Sequence, residues 1–357
     1  MATNIGRVRQ ANQHITRPTF DDPTAVVHWL GAVQAQDYLG GLWAVGLRTR
    51  GATEASVEAA IARREIVRTW PMRGTLHFVA AEDVRWILPL LTPRVISATA
   101  SRYRSLELTD AVFTRAANVA VKALEGGRTI RRAELYELWA TAGVATRDSR
   151  GLHLLGHLSQ RGLLCFGTRD GKQQTFTLLE EWVPTAKTLA RDEALGELAV
   201  RYFTSHGPAS VHDFAWWAGL TISESRAGVD SVASRLDSED VDGRTLWFAS
   251  SQPTRSSRAA HLLPAWDEFT VAYRDRSDIL DPAYAKRVNA GGGVLKPVIV
   301  VDGQVLGTWQ RRLGKKGVAV RETYFSKRNR PSAEAIAAAT KRYASFLSVA
   351  IDRGADG

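Results

Sequence analysis

The sequence predicts a helix-rich α+β protein, with tandem winged helix-turn-helix units followed by a small antiparallel sheet or barrel and a closing helix. Three observations predict it. Between residues 109 and 178, three helical patterns lead into a strand pair with a basic tip, the order of a winged helix-turn-helix. A similar order recurs from 192 to 249, and three such units at a spacing of roughly eighty residues read as a tandem array. Beyond residue 257, short strand-like runs with tight Gly turns replace the helical periodicity.

Helical periodicity covers residues 21–62, where Asp21-Asp22-Pro23 supplies an acid at the cap and Pro in the first turn. Residues 66–79 read as two strands around Pro71 to Gly74, a wing hairpin. Helices follow over 109–125, 131–142 and 147–161, the first broken by Gly126-Gly127. Residues 163–167 and 174–178 alternate as paired strands joined by Thr168-Arg169-Asp170-Gly171-Lys172. A helix over 192–205 stops at Gly207-Pro208, and Ser210 caps a short helix to Ala218. Gly219 then turns the chain, Thr221 opens a helix reaching Leu236, and 244–249 reads as a strand. Ser251-Gln252-Pro253-Thr254-Arg255-Ser256-Ser257 looks like a linker. Strands at 298–301, 305–310 and 318–324 are separated by Asp302-Gly303 and Leu313-Gly314-Lys315-Lys316-Gly317, and Pro331-Ser332 starts a helix to about Ile351. The expected domains are 1–92, 93–183, 184–255 and 256–357.

At 357 residues the chain is too long for one small domain, and 45% hydrophobic residues with 11 Trp provide for well-packed cores. The net charge is +10 with a pI near 9.9, and the basic excess is mostly Arg. Arg grips phosphate bidentately and stacks on bases, which suits nucleic acid; codon bias in a GC-rich genome enriches Arg as well. Cys165 is the single cysteine and lies in an apolar strand-like run, so an internal disulfide and a cysteine-based metal site are excluded. With no apolar signal segment and no membrane-spanning run, a cytoplasmic, nucleoid-associated location is expected.

Two segments carry the chemistry: Val33-Gln34-Ala35-Gln36-Asp37 and Arg68-Thr69-Trp70-Pro71-Met72-Arg73-Gly74-Thr75-Leu76-His77-Phe78-Val79. Alone, Gln34-Ala35-Gln36 is a weak signal, since two such glutamines are usually exposed helix residues. On a helix, residues two apart point to nearly opposite sides, whereas on an extended segment they share a face. Both amides converge only if the backbone leaves regular helix here, which Gly40-Gly41 just downstream would allow.

Together the two segments resemble the signature of the AlkZ-like winged-helix DNA glycosylases, bacterial enzymes that excise alkylated purines and unhook interstrand crosslinks. Leu262-Leu263-Pro264-Ala265-Trp266-Asp267-Glu268-Phe269 and Tyr273-Arg274-Asp275-Arg276 are similar to the family's segment at the entrance of its barrel. Some relatives carry Gln-x-Asp; the Gln-x-Gln form here resembles the crosslink-unhooking branch. The resemblance covers most of the chain and implies three winged-helix units with a C-terminal β-barrel. It implies a monofunctional DNA N-glycosylase acting in base excision repair or self-resistance on duplex DNA that carries N7- or N3-alkylated purines or crosslinks. A monomer is expected.

That chemistry is coherent with Gln-x-Gln, which has no group ionising near neutral pH. An N7- or N3-alkylated purine is cationic and leaves as a neutral base, so a general acid is little needed. A Gln carbonyl can accept a hydrogen bond from water, aim it at C1′ and face the developing oxocarbenium charge. Gln36 is assigned to the water and Gln34 to orientation and charge stabilisation, an order that could be reversed. Asp37 is the rival base, although capping or ion pairing is favoured because its side chain should diverge from Gln36. Alternation puts Arg73, Thr75 and His77 on one strand face, and with Arg68 they are candidates for phosphate contact and active-site wall, His77 nearest the abasic sugar. Arg311, Arg312, Lys315 and Lys316 surround one hairpin turn; a solvated turn is the ordinary explanation, and the family resemblance makes it a DNA-contacting hairpin. Arg169 and Lys172 form a similar, weaker tip.

Other constellations are set aside. His153 and His157 lie one turn apart on a helix without an evident third metal ligand. Gly291-Gly292-Gly293 precedes a strand rather than a helix, so it is no phosphate fingerprint. Asp267 is expected in an ion pair with Arg276, with Glu268 facing the other way. No metal site and no cofactor are expected. The rival function is a non-catalytic winged-helix regulator reading DNA with residues 221–236, but Glu224, Asp230 and Asp237 make that helix acidic for a major groove.

Overall fold

The computed structural model describes residues 4–249 and 256–352, so most of the expected linker lies outside the described residues. The chain divides into two compact units, one formed by Met1–Val57 with Leu195–Gly357 and the other by Glu58–Ala194. No helix among the described residues is long and apolar enough to cross a membrane.

In the first unit, the helix Pro23–Leu30 begins as its sequence dictates. Asp22 accepts the Thr24 N–H, Pro23 occupies the first turn, and Gly31 ends the helix at φ 76°. The periodicity expected over 21–62 is then interrupted: Val33–Gln34 is extended, and a new helix runs over Tyr38–Gly46. Gly40 and Gly41 lie inside that helix, not at the break. The Trp43 indole donates to the Leu262 carbonyl at 2.7 Å, and its ring meets Tyr343 and Phe346 at 5.0 Å each. Close packing explains Gly46, where a Cβ would stand 2.2 Å from the Phe346 ring.

The strands Ala260–Leu263, Val298–Val301, Gln304–Gly314 and Gly317–Tyr324 form one antiparallel sheet in that spatial order. Asp302 and Gly303, at φ 50° and 80°, make the two-residue turn between the middle strands. The expected β-barrel is not formed: among the described residues the sheet stays open. Its outer strands do not meet, because the helix Ala333–Phe346 packs against Ala260–Leu263 and Val318 takes a parallel bridge to Ile351. Short strands with Gly turns fit a barrel and an open sheet equally, so the pattern carried no information on closure.

Also in this unit, Ser210 and Asp213 form a reciprocal capping box on the helix Val211–Ala218, and Gly219 closes it at φ 72°. The next helix is shorter than expected, running over Ile222–Asp230 instead of reaching Leu236. Asp237–Val241 instead pairs as a strand with Arg244–Phe248 around Asp242-Gly243.

The second unit contains the helices Asp110–Leu124, Arg132–Thr141 and Arg150–Gln160, then the antiparallel strands Leu164–Phe166 and Thr175–Leu178. A two-residue strand, Ile130–Arg131, completes the sheet beside Thr175–Leu178. The hairpin of Ile66–Met72 and Thr75–Ala80 shares their core through Trp70 and Leu76. A 22-residue helix, Val84–Ser105, has no counterpart in the sequence reading, and the expected domain limit at 92/93 falls inside it. His157 stacks on Phe113 at 3.8 Å, and burial, then Arg161, pushes its imidazole down to about 4, so it packs as a neutral ring. Cys165 is buried, which pushes its thiol well up and leaves it unreactive.

Candidate active site

The segment that carries Gln34 and Gln36 is extended, and its two amides have different surroundings. Gln34 is buried, whereas Gln36 and Asp37 are exposed. The Gln34 side-chain carbonyl folds onto the backbone and accepts the Gln36 N–H at 2.8 Å. The Gln34 backbone N–H in turn donates to Glu268 Oε1 at 2.9 Å. Glu268 is wholly buried, and its Oε2 accepts from the Trp217 indole at 2.8 Å and lies 3.6 Å from His206 Nε2. Burial pushes the His206 imidazole below its ordinary value, the Glu268 carboxylate pulling the other way. Burying a carboxylate is costly unless donors converge on it, and here they come from Gln34 and from the helix Val211–Ala218.

The neighbouring acid is held differently. Asp267 starts the short helix Glu268–Val271 by accepting the Phe269 N–H at 2.9 Å. Its two oxygens take the Arg48 guanidinium at 2.8 and 2.9 Å, both side chains being buried. The expected pair with Arg276 is not made: the Arg276 Nε donates to the Thr270 carbonyl, since the helical turn at Glu268 aims Asp267 at Arg48.

Asp37 begins the helix Tyr38–Gly46 without a side-chain cap bond. Its carboxylate leans over the first turn, 2.8 Å from where a Cβ on Gly40 would be. Beside it, Trp43, Pro264, Arg311 and Tyr343 line a cleft of about 50 Å³, room for water and not for a purine. Arg311 reaches that cleft half-buried and donates to the Tyr343 hydroxyl. Arg312, Lys315 and Lys316 are exposed; Gly314 pairs with Gly317, so the two lysines alone form the turn.

The wing residues lie in the second unit. Met72 pairs with Thr75, and Arg73-Gly74 forms the turn with φ 54° and 71°, so Arg73 sits at the bend instead of on the strand. His77 is fully buried, its Nδ1 3.0 Å from the Thr75 carbonyl and its Nε2 3.4 Å from Arg73 Nη2. Thr75 is half-buried. Arg68 is buried too, with its guanidinium 4.6 Å above the Phe166 ring and Nη1 donating to Gln174 Oε1 at 3.0 Å. The Arg169 guanidinium is paired with Glu58, while Lys172 is exposed.

A family model described as DNA glycosylase AlkZ-like matches residues 27–346. The chain belongs to the AlkZ-like DNA glycosylase family. The matched span contains Gln34, Gln36, Glu268 and the Lys315-Lys316 turn. A curated relative, the interstrand DNA cross-link repair glycosylase of Streptomyces sahachiroi, is 26% identical over 320 residues, covering 85% of each chain. The solved structure of Streptomyces sahachiroi DNA glycosylase AlkZ has the same fold, with a TM-score of 0.82 at 24% identity over 98% of each chain. Membership makes DNA the partner of this glycosylase.

Sequence reasoning found the two amides but not what supports them. Glu268 was placed only as facing away from Asp267, and Trp217, His206 and Arg48 were not singled out. One signal was present: two adjacent acids inside the apolar run from Leu262 to Phe269 imply buried carboxylates that need partners.

Proposed function

We propose that this AlkZ-like glycosylase hydrolyses the N-glycosidic bond of N7- or N3-alkylated purines in duplex DNA and unhooks interstrand crosslinks; the Streptomyces sahachiroi relative is named an interstrand DNA cross-link repair glycosylase. The carrying observation is the braced pair: Gln34 is buried and spent on holding the backbone of Gln36, whose side chain is exposed. Gln36 holds the attacking water at C1′ and sets its carbonyl dipole against the oxocarbenium charge, while Gln34 acts through it by fixing its backbone. The cationic purine departs as a neutral base without a strong acid. The cleft beside Asp37, too small for a purine, suits a lesion that cannot be flipped deeply.

The segment from Val33 to Asp37 has no amine, which supports hydrolysis to an abasic site without strand cleavage by Schiff-base chemistry. Three winged-helix units remain the architectural reading. Its support is the helix–strand–helix–helix–hairpin order of residues 110–178 and the capped helix pair at 211–230. DNA backbone contacts are assigned to Arg312, Lys315 and Lys316 at the exposed hairpin, with Arg311 behind them; Arg68, Arg73, Thr75 and His77 shape the wing. The enzyme acts as a monomer.

The test is release of 7-methylguanine from an N7-methylated duplex, and unhooking of a crosslinked duplex, by wild type, Gln34→Ala and Gln36→Ala. Loss of roughly 10²-fold or more in the variants with DNA affinity kept is expected. Tight binding without release on either substrate would remove the catalytic reading.

A further inference from the structure

We propose that Glu268 is a positioning residue of the glycosylase site, holding Gln34 and, through it, Gln36 in register with the substrate; the proposal rests on the catalytic reading of the Gln pair. Three consecutive hydrogen bonds carry it. The Trp217 indole donates to Glu268 Oε2, the Gln34 backbone N–H donates to Glu268 Oε1, and the Gln36 backbone N–H donates to the Gln34 side-chain carbonyl. Trp217, Glu268 and Gln34 are buried and Gln36 emerges at the surface, so the series runs outward from the core to the exposed amide.

The chemistry of position 268 is specific. Its two oxygens serve two N–H donors from different elements, and a carboxylate presents an acceptor to both. An amide of the same shape has one oxygen and one NH₂, so it must turn a donor toward either Gln34 or Trp217 and lose that bond. Asp267 cannot substitute, because its oxygens are committed to Arg48 and to the Phe269 N–H. A purely structural role would be met more cheaply by an apolar side chain, since a buried carboxylate is an expensive way to fill space. The geometry connects that carboxylate directly to the motif at the backbone N–H of Gln34.

The experiment is a double-mutant cycle on single-turnover release of 7-methylguanine, using Glu268→Gln, Gln36→Ala and the double variant, with duplex affinity measured in parallel. Glu268→Gln is expected to slow release by ~10-fold or more while duplex affinity changes by less than ~3-fold, because it disturbs aim and not contact. In the Gln36→Ala background the same substitution is expected to cost less than ~2-fold, since a misaimed side chain is already absent. Effects that multiply in full, or Glu268→Gln at the wild-type rate, would overturn the proposal. If Glu268→Gln does not fold, Trp217→Phe removes the donor to Oε2 together with part of the buried ring, and it is read through the same cycle, in which the coupling to Gln36→Ala separates lost aim from lost packing. Gln36→Ala with wild-type activity would instead overturn the underlying reading of the Gln pair and this proposal with it.

Discussion

The side-chain carbonyl of Gln34 accepts the backbone N–H of Gln36 at 2.8 Å, which gives the spacing of two a structural reason. A side chain reaching the backbone two residues on stabilises a local bend, and that bend turns the chain from the extended Val33–Gln34 into the helix Tyr38–Gly46. In the proposed mechanism the buried member is the brace and the exposed member is the tool. Gln34→Met keeps the volume and removes the acceptor. It should cost about 1 kcal/mol of stability in urea unfolding. Base release should fall by roughly 10²-fold with little change in duplex affinity. An unimpaired rate would separate the brace from the chemistry.

The buried Arg48–Asp267 pair predicts a different signature, in stability. Arg48→Met strands the Asp267 carboxylate in the core and should cost ~3–5 kcal/mol in urea unfolding. Arg48→Met with Asp267→Leu removes both charges and should recover much of that loss. Equal losses in the single and double variants would mean that the pair is not an isolated unit.

His261 predicts a pH dependence. Burial, with Arg342 adding to it, pushes its imidazole down to about 4 from the ordinary 6.5. Between those values the unfolded chain binds a proton that the folded protein refuses. Stability therefore falls as pH drops from 6.5 toward 4, by on the order of 3 kcal/mol from this group. His261→Leu should flatten that limb of a stability–pH curve measured by chemical unfolding. A curve of unchanged steepness would assign the acid sensitivity elsewhere.

The hairpin tip predicts a salt dependence. Lys315 and Lys316 are exposed at the turn, and each phosphate contact they make releases counterions. Lys315→Ala with Lys316→Ala should weaken binding similarly on all duplex sequences and reduce the slope of log affinity against log salt by ~2. An unchanged slope would place the tip outside the DNA interface.

Local chemistry was legible in the sequence where one residue type has one use. Asp22 with Pro23, Ser210 at its cap and the turn at Asp302-Gly303 stand where the residues require them, whereas Arg73, read onto a strand face, forms the turn with Gly74. The reading failed where packing overrides local preference. Pro89 and Pro93 lie inside the helix Val84–Ser105, which is kept by a buried face including Trp86, Ile87, Leu90 and Leu91. Asp237–Val241 pairs as a strand despite an acidic composition that disfavours one. The open sheet could not be told from a barrel, because alternation fixes faces and says nothing of which edges meet. At the candidate site the amides were visible as a motif. Their support was not, because Glu268 lies 234 positions from Gln34.

On the proposed role of Glu268, that separation also governs when the protein can become active during its synthesis. Gln34 and Gln36 leave the ribosome early, and the residues of the second unit follow before Glu268 exists. At ~5–20 residues per second, the motif waits on the order of tens of seconds for the carboxylate that seats it. A chain that ended between Gln36 and Glu268 would carry both amides without the acceptor for the Gln34 N–H, and on the proposed role of Glu268 it would be a poor base-removing enzyme.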